Sequence, residues 1–266
     1  MKTLFLTFCL CLLWAQSADA DIKLSPLRVV LTPDSPVAEF EISNPSGRIF
    51  DGRASWIDMR ATQTGYAPAL AEERAAMSAA PYLLVSPAHF RLKPGARATI
   101  AVSIRDGARP PRGERRSHLL IEAAASRTPI RKAGGGLPVD VELGVSAPVM
   151  LRNGGEAKAK LEGTQLLRDK DGLLLLSTSV IPQGALSAYG RLVASFAPAE
   201  TPEAAQILGM RRNISGFVDA DKRIIEIPLG SASLGPGKLT LVYEGEAEFS
   251  GRVFDSRTYD VEPPAE

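Results

Sequence analysis

The sequence has very little cysteine and histidine. Its two cysteines, Cys9 and Cys11, lie within the first 20 residues, so the remainder has no thiol for a disulfide or a thiolate ligand. Its two histidines, His89 and His118, are far apart in the chain. No phosphate-binding loop, dinucleotide fingerprint or nucleophile elbow is present. We therefore expect no metal, no cofactor and no enzyme activity.

The sequence also lacks a charge imbalance and long apolar segments. The formal net charge is +1, which predicts neither nucleic acid nor an anionic lipid surface as a partner. Beyond the first 20 residues no apolar run is long enough to cross a bilayer, and residues 173–176 form only a strand-sized run. We expect no nucleic-acid binding and no membrane insertion of the mature chain.

The first 20 residues have the pattern of an export signal. Lys2 gives a positive start, residues 4–14 are apolar over the length of a signal peptide, and Ala18-Asp19-Ala20 is a small-x-small cleavage site. The mature chain should begin at Asp21. An exported chain without cysteine must depend on hydrophobic cores large enough to stand without disulfides.

Short alternating apolar runs separated by proline and glycine predict an all-β protein. The exception is the alanine-rich stretch 69–80, which predicts one short helix inserted between strands. Asp169-Lys170-Asp171-Gly172 predicts a hairpin. Strand patterning restarts after Gly154-Gly155, which predicts two β-sandwiches in tandem. The predicted boundaries are residues 1–20 for the signal, 21–152 and 158–262 for the two domains, 153–157 for the linker, and 263–266 for a tail.

Residues 139–152 form the most informative segment. Val139, Val141, Leu143 and Val145 begin an alternation that continues to residue 151 and gives one apolar face to a long strand. Such a strand is either covered within its own sandwich or pairs with another chain. The residues alone leave both possibilities open.

Arg28 is unusual because it interrupts an apolar run at residues 24–31, which we interpret as the first strand. A charge in that setting must face solvent, pair with an opposite charge or bind an anion. Two groups of basic residues lie in loops, where solvated faces are the usual interpretation: Arg109, Arg112, Arg115 and Arg116 in one, and Arg127, Arg131 and Lys132 in the next.

The order of several segments resembles periplasmic pilus chaperones of the chaperone–usher pathway over about residues 22–152. These segments are Arg28, Glu39-Phe40-Glu41-Ile42-Ser43-Asn44-Pro45, Trp56, Leu84-Val85-Ser86-Pro87, Phe90-Arg91-Leu92-Lys93-Pro94-Gly95, Arg115-Arg116-Ser117 and the strand at 139–152. The resemblance implies that both sandwiches are immunoglobulin-like. It also implies a non-enzymatic periplasmic protein whose partners are pilin or fimbrial subunits and an outer-membrane usher.

In that family, a long strand of the chaperone fills a groove in the subunit by strand addition. The resemblance therefore implies client binding by Val139, Val141, Leu143 and Val145. It also implies that Arg28 holds the terminal carboxylate of the subunit. The lysine that accompanies this arginine in the family is absent, because no lysine or arginine lies between residues 139 and 151.

If another basic residue supplies the anchor, Arg116 and Arg152 are the first candidates. Two alternatives to a chaperone remain: a structural or adhesive component of a surface fibre, and a periplasmic immunoglobulin-like binding module. A pilin usually has one truncated domain and a free apolar N-terminal donor strand, for which residues 21–23 are too short.

Overall fold

The computed structural model describes residues 22–125, 142–231 and 233–262. The predicted export signal and the predicted tail lie outside these ranges. Within them, the chain forms two pairs of packed sheets with one short α-helix, as the strand patterning predicts.

The first sandwich has the strand order of an immunoglobulin-like domain. Its strands are β1 (Lys23–Ser25), β2 (Val29–Leu31), β3 (Val37–Ser43), β4 (Phe50–Ile57), β5 (Met59–Ala61), β6 (Tyr66–Pro68), β7 (Leu83–Ser86), β8 (His89–Leu92), β9 (Arg97–Ile104), β10 (Gly113–Ala125) and β11 (Glu142–Asn153). One sheet has the order β1-β3-β9-β7, and the other has the order β2-β11-β10-β4-β8. Without the short strands β2, β5, β6 and β8, these are the ABED and CFG sheets of the immunoglobulin fold.

The expectation that Arg28 lies within one continuous first strand is wrong. The segment is divided into β1, which joins one sheet, and β2, which joins the other, and Arg28 lies in the crossing between them. Pro26 has no backbone N–H to donate to a neighbouring strand, so the sheet pairing ends at Ser25. Arg28 therefore comes directly before the first residue of β2.

An insertion separates β4 from β7. It contains the hairpin of β5 and β6, the helix α1 (Ala71–Met77) and a 3-10 turn at Ala80–Tyr82. The predicted helix at 69–80 is confirmed, although it is shorter than the alanine-rich stretch. At its start the Glu73 carboxylate accepts a hydrogen bond from the Leu70 N–H at 2.7 Å.

Within the described ranges, the second sandwich has seven strands. They are β12 (Ala159–Arg168), β13 (Leu174–Pro182), β14 (Ala188–Pro198), β15 (Gln206–Gly216), β16 (Arg223–Pro228), β17 (Gly237–Gly245) and β18 (Val253–Val261). The sheet orders are β12-β13-β16 and β15-β14-β17-β18, again an immunoglobulin-like arrangement. The predicted hairpin at 169–172 is confirmed between β12 and β13, and Gly172 takes the positive φ of +78° that this turn requires.

Each sandwich has its own core. Phe40, Phe50 and Ile121 are among the fully buried residues of the first, and Tyr243 and Leu241 are among those of the second. The strand β11 ends at Asn153 and β12 begins at Ala159, so residues 154–158 connect the two strands, one residue later than the predicted linker at 153–157. The exact domain division at 152 and 158 stays a prediction.

Gly190 in β14 provides a sharp test of the second sandwich. A Cβ atom at this position would lie 1.9 Å from the backbone oxygen of Glu244 in the paired strand β17. We expect Gly190→Ala to destabilise the protein by at least about 2–3 kcal/mol, because β14 and β17 must separate. Gly65→Ala is the matched control, since nothing lies within 4 Å of its Cβ position. Equal losses in urea unfolding for the two variants would contradict this packing.

Candidate functional site

The strand β11 has one covered half and one open half. On one side it pairs with β10 from Glu142 to Asn153. On the other side, within the described part of the chain, only Val149, Met150 and Leu151 have a partner, the short parallel strand β2. Residues 142–148 therefore form a free sheet edge. The prediction of an edge strand holds for this half of β11 and is wrong for residues 149–151.

The apolar face of β11 points into its own sandwich. Ala147, Val149 and Leu151 are buried in the first core, whereas Leu143 and Val145 are half-buried and pack against its margin. Burial thus decreases from residue 151 towards residue 143. Two of the predicted client-binding residues, Val139 and Val141, lie outside the described residues. The roles of Leu143 and Val145 in client binding stay predictions.

Arg28 is engaged by a carboxylate of the second sandwich. Its Nη2 and Nη1 atoms donate hydrogen bonds to Oε1 and Oε2 of Glu248 at 2.7 and 3.0 Å, which makes a bidentate ion pair. The guanidinium also lies over the ring of Tyr189, with 4.0 Å between its central carbon and the ring centroid. The predicted anchoring residue is therefore already paired with a carboxylate.

Arg152 shares the same carboxylate. Its Nη1 donates to Oε1 of Glu248 at 2.7 Å, its Nε donates to Glu114 at 2.8 Å, and its Nη2 donates to the Ser187 carbonyl at 3.0 Å. Glu114 also accepts hydrogen bonds from the N–H and the hydroxyl of Ser187. Arg152 and Glu114 are buried and come from the first sandwich, while Ser187 and Glu248 come from the second. We call these four residues and Arg28 the interdomain clasp.

Arg28 and Arg152 both affect the pKa of Glu248. Burial alone would raise the pKa of its carboxyl group. The hydrogen bonds and charge of Arg28, together with the charge of Arg152, outweigh burial and hold the pKa of Glu248 below its ordinary value. The carboxylate is therefore the stable form at neutral pH.

A second contact between the sandwiches involves the hairpin of β5 and β6. Arg116 donates from Nη2 to Asp219 at 2.7 Å and to the Met59 carbonyl at 3.0 Å, and the Ala61 N–H donates to Asp219 at 2.8 Å. A small apolar cluster of Ala61, Met150 and Phe217 lies beside these polar contacts. Arg116, like Arg28 and Arg152, is thus paired with a carboxylate of this chain.

His118 lies buried beside this contact. Its ring packs edge-on against the Tyr66 ring at 4.8 Å between centroids, and neither nitrogen has a hydrogen-bond partner. Burial, the largest cause, and the charge of Arg116 together lower the pKa of His118 to about 4, and the charge of Asp219 opposes them.

Because the folded protein disfavours protonated His118, its contribution to stability is complete above about pH 6.5 and is lost as the pH falls towards 4. Between pH 7.5 and 5 we expect a loss of about 2 kcal/mol from this group. His118→Phe keeps a ring against Tyr66 and should remove this component from urea unfolding measured at the two pH values. An unchanged pH dependence in the variant would contradict the assignment.

The sequence interpretation did not find Glu114, Asp219 or Glu248. Asp219 lies in a turn, and its carboxylate also joins the two sandwiches. Glu114 of β10 lies directly opposite Arg152 of β11. A search for opposite charges across this antiparallel strand pair could therefore have identified it. No local pattern marks Glu248, which lies in a 3-10 turn at Ala247–Phe249.

The described residues contain no group of three or more histidine, cysteine, aspartate or glutamate side chains suited to hold a metal ion. None of the helices in the described ranges has the length and apolar character needed to span a bilayer.

No protein-family model and no curated protein matches this sequence. Among solved structures, the YadV chaperone matches with a TM-score of 0.46 and 11% identity, covering 91% of this chain and 100% of that chain. The E. coli chaperone DraB matches with a TM-score of 0.43 and 12% identity, covering 91% and 96%. A chain from the Salmonella enterica complex of SafA pilin with the SafB chaperone matches at 0.44 and 15%, covering 92% and 98%. With TM-scores below 0.5, these similarities establish neither a family nor a function.

Proposed function

We propose that this chain is a periplasmic chaperone that binds pilus or fimbrial subunits by adding a strand across chains. The observation that carries the proposal is the free edge at residues 142–148 of β11. An unpaired edge presents a row of backbone N–H and C=O groups to which a strand of another chain can pair. Seven residues of strand extend about 23 Å at roughly 3.3 Å per residue, the length of an ordinary strand.

The side chains of β11 support an apolar partner. Leu143 and Val145 lie only half-buried at the margin of the first core, so part of each remains available to a second chain. In recognition by strand addition, backbone pairing gives affinity and alternate side chains give specificity. From the alternation in the sequence, we propose that Val139 and Val141 also contact the subunit, which makes four client-binding side chains.

The position of Arg28 supports contact with a chain terminus. β2 runs parallel to β11 and begins opposite Val149, and Arg28 directly precedes it. A client strand that lies along residues 142–148 in the same direction as β2 would therefore end near the Arg28 guanidinium. Its terminal carboxylate is the natural partner for that cation, although Glu248 now occupies it.

The remaining parts of the proposal concern location and partners. The signal pattern of residues 1–20 supports export, and we propose the periplasm as the site of action and an outer-membrane usher as the acceptor of the bound subunits. We propose no catalytic role, because His118 is buried without hydrogen-bond partners and the other histidine, His89, stands apart from it in sequence. A fibre component is the competing interpretation.

The direct test is co-expression with a pilin-like subunit, chosen from the genes that neighbour this one. The proposal expects a soluble complex of one chain with one subunit, and aggregation or degradation of the subunit when this chain is missing. A subunit that is equally soluble alone would contradict the chaperone function. Incorporation of this chain into purified fibres would favour the alternative of a fibre component.

A further inference from the structure

Two guanidinium groups converge on one carboxylate in the interdomain clasp. Oε1 of Glu248 accepts hydrogen bonds from Arg28 and Arg152, each at 2.7 Å, and Oε2 accepts from Arg28 at 3.0 Å. The three hydrogen bonds are all charge-assisted, the class that is strongest for a carboxylate. The arrangement is a carboxylate-binding site whose occupant belongs to the same chain.

Both arginines are held in place by groups other than Glu248. The guanidinium of Arg28 stacks on Tyr189 at 4.0 Å. Arg152 is fixed by Glu114 at 2.8 Å and by the Ser187 carbonyl at 3.0 Å. Because these contacts do not involve Glu248, the two guanidinium groups should keep their positions when its carboxylate is removed. A site held in this way is already organised for another carboxylate.

Glu248 is the most exposed of the three charged side chains. It belongs to a three-residue 3-10 turn, and 29% of its side chain is exposed, whereas the side chains of Arg28 and Arg152 are 12% and 6% exposed. Solvent therefore reaches the occupant more readily than it reaches the arginines. An exposed side chain on a short turn can leave a site that remains formed behind it.

We infer that Glu248 is a displaceable internal occupant of a carboxylate site formed by Arg28 and Arg152. The chemical class of ligand is a single carboxylate, and the proposed function supplies the source, the terminal carboxylate of the client strand. The inference depends on the proposed function in one respect: that function identifies the client strand as the source of the carboxylate. The site and its internal occupant are properties of this chain alone.

Because Glu248 occupies the site, another carboxylate binds only if it competes successfully with Glu248. A tethered competitor such as Glu248 acts at a high effective concentration, commonly in the millimolar range for short flexible tethers, so dilute free carboxylates do not displace it. A client strand paired along residues 142–148 is tethered in the same way, and its terminus can compete. The site therefore favours a chain end that has already paired with the edge.

Displacement also has a consequence for the two sandwiches. Glu248 is the residue through which Arg28 contacts the second sandwich by an ion pair. When a client carboxylate replaces it, that link is broken, so carboxylate binding and the interdomain contact oppose each other. By thermodynamic reciprocity, the factor by which the Glu248 ion pair lowers the affinity for a carboxylate equals the factor by which a bound carboxylate weakens that ion pair.

The test uses Glu248→Ala and acetate as the carboxylate probe. Thermal unfolding is measured in sodium acetate and in sodium chloride at equal ionic strength. At ten times its dissociation constant, acetate should raise the melting temperature of the variant by about 3–6 °C more than chloride does. The wild-type protein should show no such difference, because Glu248 fills the site.

Two further variants make the test specific. Asp260→Ala removes the exposed carboxylate that pairs with Lys238 and should respond like the wild type, which accounts for general effects of acetate on proteins. If Glu248→Ala does not fold, Glu248→Gln replaces it, since a neutral amide is a weaker occupant and acetate should shift its melting temperature in the same direction.

An equal acetate response in the wild type, or no response in either Glu248 variant, would overturn the inference. No subunit is present in this experiment, so its failure is distinct from a failure of client capture. An acetate response combined with no subunit binding would retain the carboxylate site and reject only the proposed source of the ligand.

Discussion

Arg152→Ala is expected to destabilise the protein by about 3–5 kcal/mol, the cost of removing one partner from a buried ion pair. The side chain of Glu114 is 1% exposed, and Arg152 is its cationic partner at 2.8 Å. Without the guanidinium, the Glu114 carboxylate stays buried, and Ser187 is its one remaining hydrogen-bond donor among the described residues. Urea unfolding followed by circular dichroism measures the loss directly.

Two comparisons make this result interpretable. Arg97→Ala removes an exposed ion pair, in which 71% of the Arg97 side chain and 47% of the Glu41 side chain are accessible, and should cost no more than about 1 kcal/mol. The double variant Arg152→Met with Glu114→Gln removes both buried charges and should recover much of the stability. A loss for Arg152→Ala no larger than that for Arg97→Ala would mean that the clasp does not stabilise the fold.

Leu143→Asp is expected to reduce subunit binding by at least ten- to a hundredfold. Burying a leucine completely is worth about 1.5–3 kcal/mol, and each 1.4 kcal/mol changes affinity tenfold. An aspartate in the subunit groove adds the cost of a buried charge without a partner. Leu143 is half-buried in the free protein, so the variant must first be shown to fold by urea unfolding.

The matched control is Leu167→Asp. Leu167 is an exposed leucine in β12 of the second sandwich, away from β11. Both variants are compared for retention of the same co-expressed subunit. Folded Leu143→Asp protein that retains the subunit as well as Leu167→Asp does would refute the assignment of this strand to client binding.

Local features of the fold were predictable from sequence because each depends on neighbouring residues. The helix at 71–77 follows from an alanine-rich stretch with Glu72 and Glu73 in its first turn. The turn at Pro94-Gly95 joins β8 and β9, and Gly95 has the φ of +69° that favours glycine. The long alternation predicted β11 because successive side chains of a strand point to opposite faces.

The candidate site was predictable only in part, because its charges pair over long distances in the chain. Arg28 was singled out as a cation in an apolar segment, yet its partner Glu248 is 220 residues away. Arg152 was named only as a substitute anchor. It follows the last apolar residue of the alternation, where a charge is ordinarily expected to face solvent. The side chain of Arg152 is buried because the second sandwich packs against the first at this position.

Hydrogen–deuterium exchange of β11, measured with and without a bound subunit, tests the central claim most directly. In the free protein the open side of residues 142–148 leaves backbone groups without a partner strand, whereas β18, the edge of the second sandwich, serves as an internal reference. Strand addition predicts that the alternate amides of residues 142–147 that point to the open side become protected in the complex, while those of β18 exchange as before. A complex in which residues 142–147 exchange unchanged would contradict the claim that the subunit pairs with this edge.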